Sequence, residues 1–198
     1  MAVLTLKEDW LENLLGHFSD VPVEALQFEL TRNGLGEGKV EEHLWQVAEN
    51  EFERLRHLWQ GPDTPVYLLP ILEGNIKKNG KMYEGVILLF VSNELSQEEL
   101  KALLAHEYNH SCRMHFIGKN MQEMTLLDSI VLEGLAEYAV EELYGSRYLS
   151  PWTQLYNIKE LLPTWKERIQ EHLQVTDVRQ HAVFLYGDAS HHIPSWFG

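Results

Sequence analysis

Cysteine occurs once, at Cys112, so no disulfide can form within the chain. That fits a reducing compartment better than a secreted one. Basic residues are scarce: 16 Lys and Arg face 30 Asp and Glu, a formal net charge of −14. A chain this acidic is a poor partner for the nucleic-acid backbone, and most of the charge reads as solvated surface. No run of about 20 apolar residues is present to span a bilayer. Met1–Trp10 carries no basic stretch followed by an apolar one, the mark of a secretory leader. Repeats and low-complexity segments are also missing. The expectation is a soluble, cytoplasmic protein that binds neither nucleic acid nor membrane.

What is present is enough for a core: 44% of the 198 residues are hydrophobic, with six Trp and seven Phe. The length suits a single domain, 1–198, with a helical part over 1–60 and a sheet plus further helices over 61–198. Lys7–Phe18 is amphipathic. Asp20 and Pro22 open a second helix that Gly34 stops. Val40–Gln60 is a long periodic helix with Leu44, Val47, Phe52, Leu55 and Leu58 inward. Val66–Leu69 and Val86–Val91 are apolar runs of strand length, and the polar stretch between them, with Asn79-Gly80, reads as a hairpin or loop. Ser96-x-x-Glu99 opens a helix running to Ile117. Another spans Met124–Tyr144. Ser150-Pro151 starts a third, Pro163 restarts the chain toward Leu173, and Thr176-Asp177 caps a last helix ending at Gly187.

The chemistry concentrates in His106-Glu107-Tyr108-Asn109-His110. Residues four apart share one helix face, so both imidazoles can grip one metal ion, with Glu107 beside them to take a proton from water. Chance gives roughly 0.06 such matches in a chain of this composition, so context has to carry the rest. Leu103, Leu104 and Ala105 mark a buried segment, where two imidazoles and a carboxylate cost free energy without a partner. The alternative is a pair of core histidines satisfied by backbone or carboxylates.

A zinc site needs a third protein ligand. His115 points off the shared face. Arg113 and Phe116 occupy the positions where a metzincin would have Gly and His. The next helix offers Glu133, set among Val131, Leu132, Leu135 and Ala136. A carboxylate there is costly unless paired or metal-bound. No Lys or Arg occurs between Asn120 and Gly145 to neutralise Asp128, Glu133, Glu137, Glu141 and Glu142. Gly134, unfavourable inside a helix, suggests close approach by another element. Glu137 is one turn on. It can hydrogen-bond the far nitrogen of a ligating histidine, or it can be a solvated helix glutamate.

The pair His106-Glu107-x-x-His110 and Glu133-Gly134-Leu135-Ala136-Glu137-Tyr138 resembles the gluzincin pattern of thermolysin-like and aminopeptidase N-like enzymes. Over roughly residues 60–198 the chain resembles more closely the bacterial YjaZ-like zinc-dependent proteases, a family of unknown function. Tyr186-Gly187-Asp188 and Ile193-Pro194-x-Trp196-x-Gly198 belong to that likeness. Members of that family continue past this terminal motif with an apolar helical segment, whereas this sequence stops at Gly198, as a truncated chain would. The sequence pattern predicts an α+β, mostly helical domain with a small sheet before the active-site helix, and the resemblance implies that it is zincin-like. The residues and the resemblance together lead to the expectation of one Zn²⁺ per chain held by His106, His110 and Glu133, with Glu107 as base and a peptide or protein substrate; Glu137 behind the ligands rests on its helix spacing alone. A metal-binding protein without hydrolysis and a metal-free helical binding module are the other classes.

Weaker candidates remain. Tyr186, Tyr138 and Tyr148 compete as stabilisers of an oxyanion, with His191 beside them. His191-His192 reads more simply as a surface pair, and Cys112 as a small buried hydrophobe. The strand Val86–Val91 is a conjectural edge for binding an extended peptide.

Overall fold

The computed structural model describes residues 3–4, 10–18, 22–72, 74, 76–83 and 85–196, the side chains from residue 14 onward. The chain divides into two compact units, Met1–His115 and Phe116–Gly198. The architecture is α+β and mostly helical, with one small sheet. No helix among the described residues is long and apolar enough to cross a membrane.

In the first unit, α1 (Trp10–His17), α2 (Val23–Arg32) and α3 (Glu42–Trp59) precede the sheet, and β1 (Val3–Leu4) joins it. Lys7–Asp9 and Asp20 lie outside the described residues. The sheet order is β1-β2-β4-β3, with β2 (Val66–Pro70), β3 (Lys78–Tyr83) and β4 (Val86–Val91). β2 runs parallel to β1 and β4, and β3 is antiparallel to β4. Every residue of β4 is buried, as a strand covered on both faces should be. One face carries Tyr67, Leu69, Val86, Leu88 and Phe90 against Leu14, Leu26 and Leu30 of α1 and α2.

Three expectations about this unit are corrected. Asn79-Gly80 is not a turn: both residues lie inside β3, whose pairing with β4 runs to Tyr83 opposite Val86, and Gly85 has φ +77°. Consequently Val86–Val91 is not an edge. It pairs on both sides, and β3 stands at the edge beside it. Leu58 is also not a core residue, being 53% exposed, because Trp45, Ala48 and Glu51 complete the inward stripe of α3.

α4 (Gln97–Ile117) follows the sheet. Its start is the expected box: Ser96 Oγ accepts from the Glu99 N–H, and the Ser96 N–H donates to Glu99 Oε2.

The second unit is built on α5 (Leu126–Tyr144). Thr125 and Asp128 cap it reciprocally, and Lys119 donates to Asp128 Oδ2 at 2.6 Å. A local cation therefore does exist, one residue before the stretch that lacks them. Leu126, Ile169 and Ile193 are the fully buried centre, lined by Ile130, Leu161, Trp165, Leu173, Val183 and Phe184. α6 (Ile158–Thr164) contains Pro163 instead of starting at it, because Asn157 and Glu160 supply the cap earlier. The chain continues into a π turn over Trp165–Ile169. α7 (Val178–Tyr186) is fixed by buried His181, whose Nδ1 lies 2.9 Å from Ser129 Oγ and whose Nε2 lies 2.8 Å from the Val175 carbonyl. With Nε2–H donating to that carbonyl, Nδ1 accepts from Ser129.

Candidate metal centre

The motif lies in the middle of α4. His106 is half-buried, and His110 and Glu107 are each 6% exposed. The two rings sit 4.6 Å apart, centroid to centroid, at 80°. One helical turn between them accounts for that proximity.

The rest of this helical turn is held from behind. Tyr108 is fully buried; its ring packs on Phe52 at 4.8 Å and stacks on Trp59 at 5.9 Å. Its hydroxyl donates to the Pro62 carbonyl at 2.8 Å. Ser111 Oγ lies 2.7 Å from Thr64 Oγ1, inside the core. Burial, then the neighbouring Cys112, pushes the Tyr108 phenol well above its ordinary value. Burial also pushes the Cys112 thiol up to about 11, against a hydrogen bond with Tyr108 that lowers it. Cys112 is accordingly a protonated small hydrophobe and no nucleophile at neutral pH.

On the sheet side, Glu107 meets β3 at Gly80. A methyl carbon placed on Gly80 would lie 2.7 Å from Glu107 Cγ and 2.8 Å from Cδ. Gly80 pairs with Leu89, so Glu107 faces the same side of the sheet as Leu89. Gly80 was overlooked in the sequence because the Asn-Gly pair read as a turn.

Glu133 projects from α5 and is half-buried. His106, His110 and Glu133 form a group that could hold a metal ion: one ligand atom of each lies within 4.8 Å of the others. Two imidazole nitrogens and one carboxylate oxygen match the donor set of a catalytic zinc, which keeps a fourth position for water.

Glu137 is buried, at 6% exposure, and so is no solvated helix glutamate. Its Oε2 accepts from the Ser150 N–H at 2.8 Å and its Oε1 from the Ser150 hydroxyl at 2.6 Å. Ser150 thus serves this acid as well as preceding the short 3₁₀ turn Pro151–Gln154. Among the described residues, nothing lies within 4 Å of where a Cβ on Gly134 would stand, so the expected close approach is not seen. The oxyanion candidates differ in setting. Tyr186 is 45% exposed and meets Trp196 edge-on at 5.0 Å, Tyr138 is exposed, and Tyr148 bonds Arg147. His191 Nδ1 lies 3.3 Å from Asp188. The terminal motif is a tight crossing: a Cβ on Gly187 would meet the Pro194 carbonyl carbon at 2.6 Å, and the Trp196 N–H donates to the Tyr186 carbonyl.

The imidazole pair and Glu133 thus form a candidate metal centre, with the buried Glu107 beside the pair. Comparison with known proteins narrows the reading. The family described as "Predicted Zn-dependent protease (DUF2268)" matches residues 44–198, and the chain belongs to that family. It is 35% identical over 155 residues to the uncharacterized protein YjaZ of Bacillus subtilis (strain 168), covering 74% of this chain and 59% of YjaZ. It is 28% identical over 96 residues to the uncharacterized protein YjfC of the same organism, covering 48% of this chain and 32% of YjfC. No solved structure matches.

Proposed function

We propose that this chain is a zinc-dependent metallopeptidase of the gluzincin type, with His106, His110 and Glu133 as metal ligands and Glu107 as the general base. The observation that carries the reading is the donor set itself, two imidazoles and a carboxylate with ligand atoms within 4.8 Å of one another. The family's description supports it. Zinc held by His106, His110 and Glu133 would supply a Lewis acid for the carbonyl and would bring the pKa of water toward about 7.

The residues of the chain do the remainder. Glu107 is one residue from His106 and buried, so its carboxylate is sheltered from bulk water and positioned to take the water's proton. The same carboxyl then returns that proton to the leaving amine. His106 and His110 must be neutral to bind metal, so affinity falls in acid. Glu137, with Ser150 on its oxygens, stiffens the helix that carries Glu133. The substrate that suits this chemistry is a peptide or protein.

Glu107→Gln keeps the shape and removes the base. Zinc content by elemental analysis should stay at one per chain while peptide hydrolysis falls about 10²- to 10⁴-fold. Hydrolysis unchanged by the substitution removes Glu107 from the role. A parent protein that binds zinc yet cleaves nothing in a broad peptide library would make this a metal-binding protein without turnover.

A further inference from the structure

We propose that Gly80 is the positioning residue for Glu107, an inference that rests on the peptidase reading for its catalytic consequence and on geometry alone for the contact. β3 lies directly against the Glu107 carboxylate. A Cβ on Gly80 would come within 2.8 Å of both Cγ and Cδ, and nearer still to Oε1, closer than side-chain carbons approach one another. The three nearest atoms to that Cβ all belong to Glu107. Glycine in a strand interior costs order, and its usual reason is close approach by another group. Here that group is the proposed base.

Two features make this a matter of position and not only of space. Gly80 stands in register opposite Leu89, in an unbroken antiparallel pairing from Lys78 to Tyr83. The strand cannot retreat without losing that ladder. Tyr108 and Ser111 anchor α4 from its other side, through Pro62 and Thr64. The helix cannot retreat either. The side chain of Glu107 is therefore the part that must yield if Gly80 gains a methyl group. Its carboxylate would leave the orientation that α4 and β3 now give it. Residues on the same face of β3 one step away, Lys78 and Met82, bracket the glycine and leave a one-residue gap in the wall of side chains.

A double-mutant cycle tests the contact without any turnover. In the parent, Gly80→Ala should lower the melting midpoint by at least about 2 °C. In Glu107→Ala, where Cγ, Cδ and the carboxylate are gone, the same change should cost nothing or raise the midpoint, as alanine for glycine in a strand does. An additive cycle overturns the proposal. The zinc-loaded Gly80→Ala protein should retain one zinc per chain, keep its KM within about twofold and lose at least about tenfold in kcat. Coupling in the cycle with kcat unchanged overturns the positioning role. A parent chain that cleaves no peptide defeats the peptidase reading instead, and leaves the cycle to decide the contact.

Discussion

The two long helices that carry the proposed ligands are alike at their ends and unlike in their middles. Each opens with a reciprocal box, Ser96 with Glu99 and Thr125 with Asp128. Each is followed by a glycine at positive φ, Gly118 and Gly145. Around the motif, however, α4 is pinned: Phe52 and Trp59 on Tyr108, Pro62 on its hydroxyl, Thr64 on Ser111, Gly80 on Glu107. Near the half-buried Glu133, α5 is less enclosed. Gly134 and Leu135 are exposed, and so is Tyr138. The buried acid of α5 is Glu137, held by Ser150. The proposed base and imidazole pair thus sit on a tightly packed segment, as a preorganised site requires, while the residues next to Glu133 are more exposed.

The glycines of the two helical regions sharpen this contrast most. Gly61 backs α4: a Cβ there would stand 2.5 Å from the Tyr108 hydroxyl oxygen and would also strike the Cys112 sulfur. Gly61→Ala should destabilise by about 1–3 kcal/mol, the usual penalty of overpacking. Gly134→Ala meets nothing and should stabilise by up to about 1 kcal/mol through helix propensity. Denaturant melts of both variants measure the difference, and equal signs would break the comparison.

Next in size is Glu137→Ala, which removes the acceptor of the half-buried Ser150 N–H and hydroxyl. It should cost about 1–3 kcal/mol. If Glu137 also supports the ligands, zinc affinity should fall about 10- to 100-fold. A competition titration with a chromophoric chelator reads that directly.

The smallest effect concerns the caps. Burial raises the Asp128 pKa, but hydrogen bonds from Lys119 and Thr125 outweigh it and hold the carboxyl at about 2. Its folded value lies below the ordinary Asp value of about 3.9. The resulting stability is complete above that ordinary value and is lost as pH falls through about 2. Thermal melts between pH 5 and 2 should show a decline that Asp128→Asn flattens.

Much of this was readable from residue order. Apolar periodicity over Val40–Gln60 and the box at Ser96 located α3 and α4 within two residues of their observed bounds, because burial of one helix face leaves a strong imprint. The HExxH spacing named the imidazole pair for the same reason. β3 was not legible. It is polar and half-exposed along its length, as an edge strand can be, and its Asn79-Gly80 mimics a hairpin turn. Gly134 was over-read, since a glycine in a helix can face solvent with nothing against it. The partner of Glu137 was invisible because Ser150 lies 13 residues away, across a chain reversal that no local pattern encodes. Lys119 was overlooked by one residue.

The central claim is that one zinc is held jointly by His106, His110 and Glu133. Metal-stripped protein, titrated with zinc alongside Glu133→Ala and His110→Ala, tests it most directly. The parent should bind one equivalent tightly, and both variants should lose that tight equivalent. A Glu133→Ala protein that takes up zinc with the parent's affinity and stoichiometry would contradict the account.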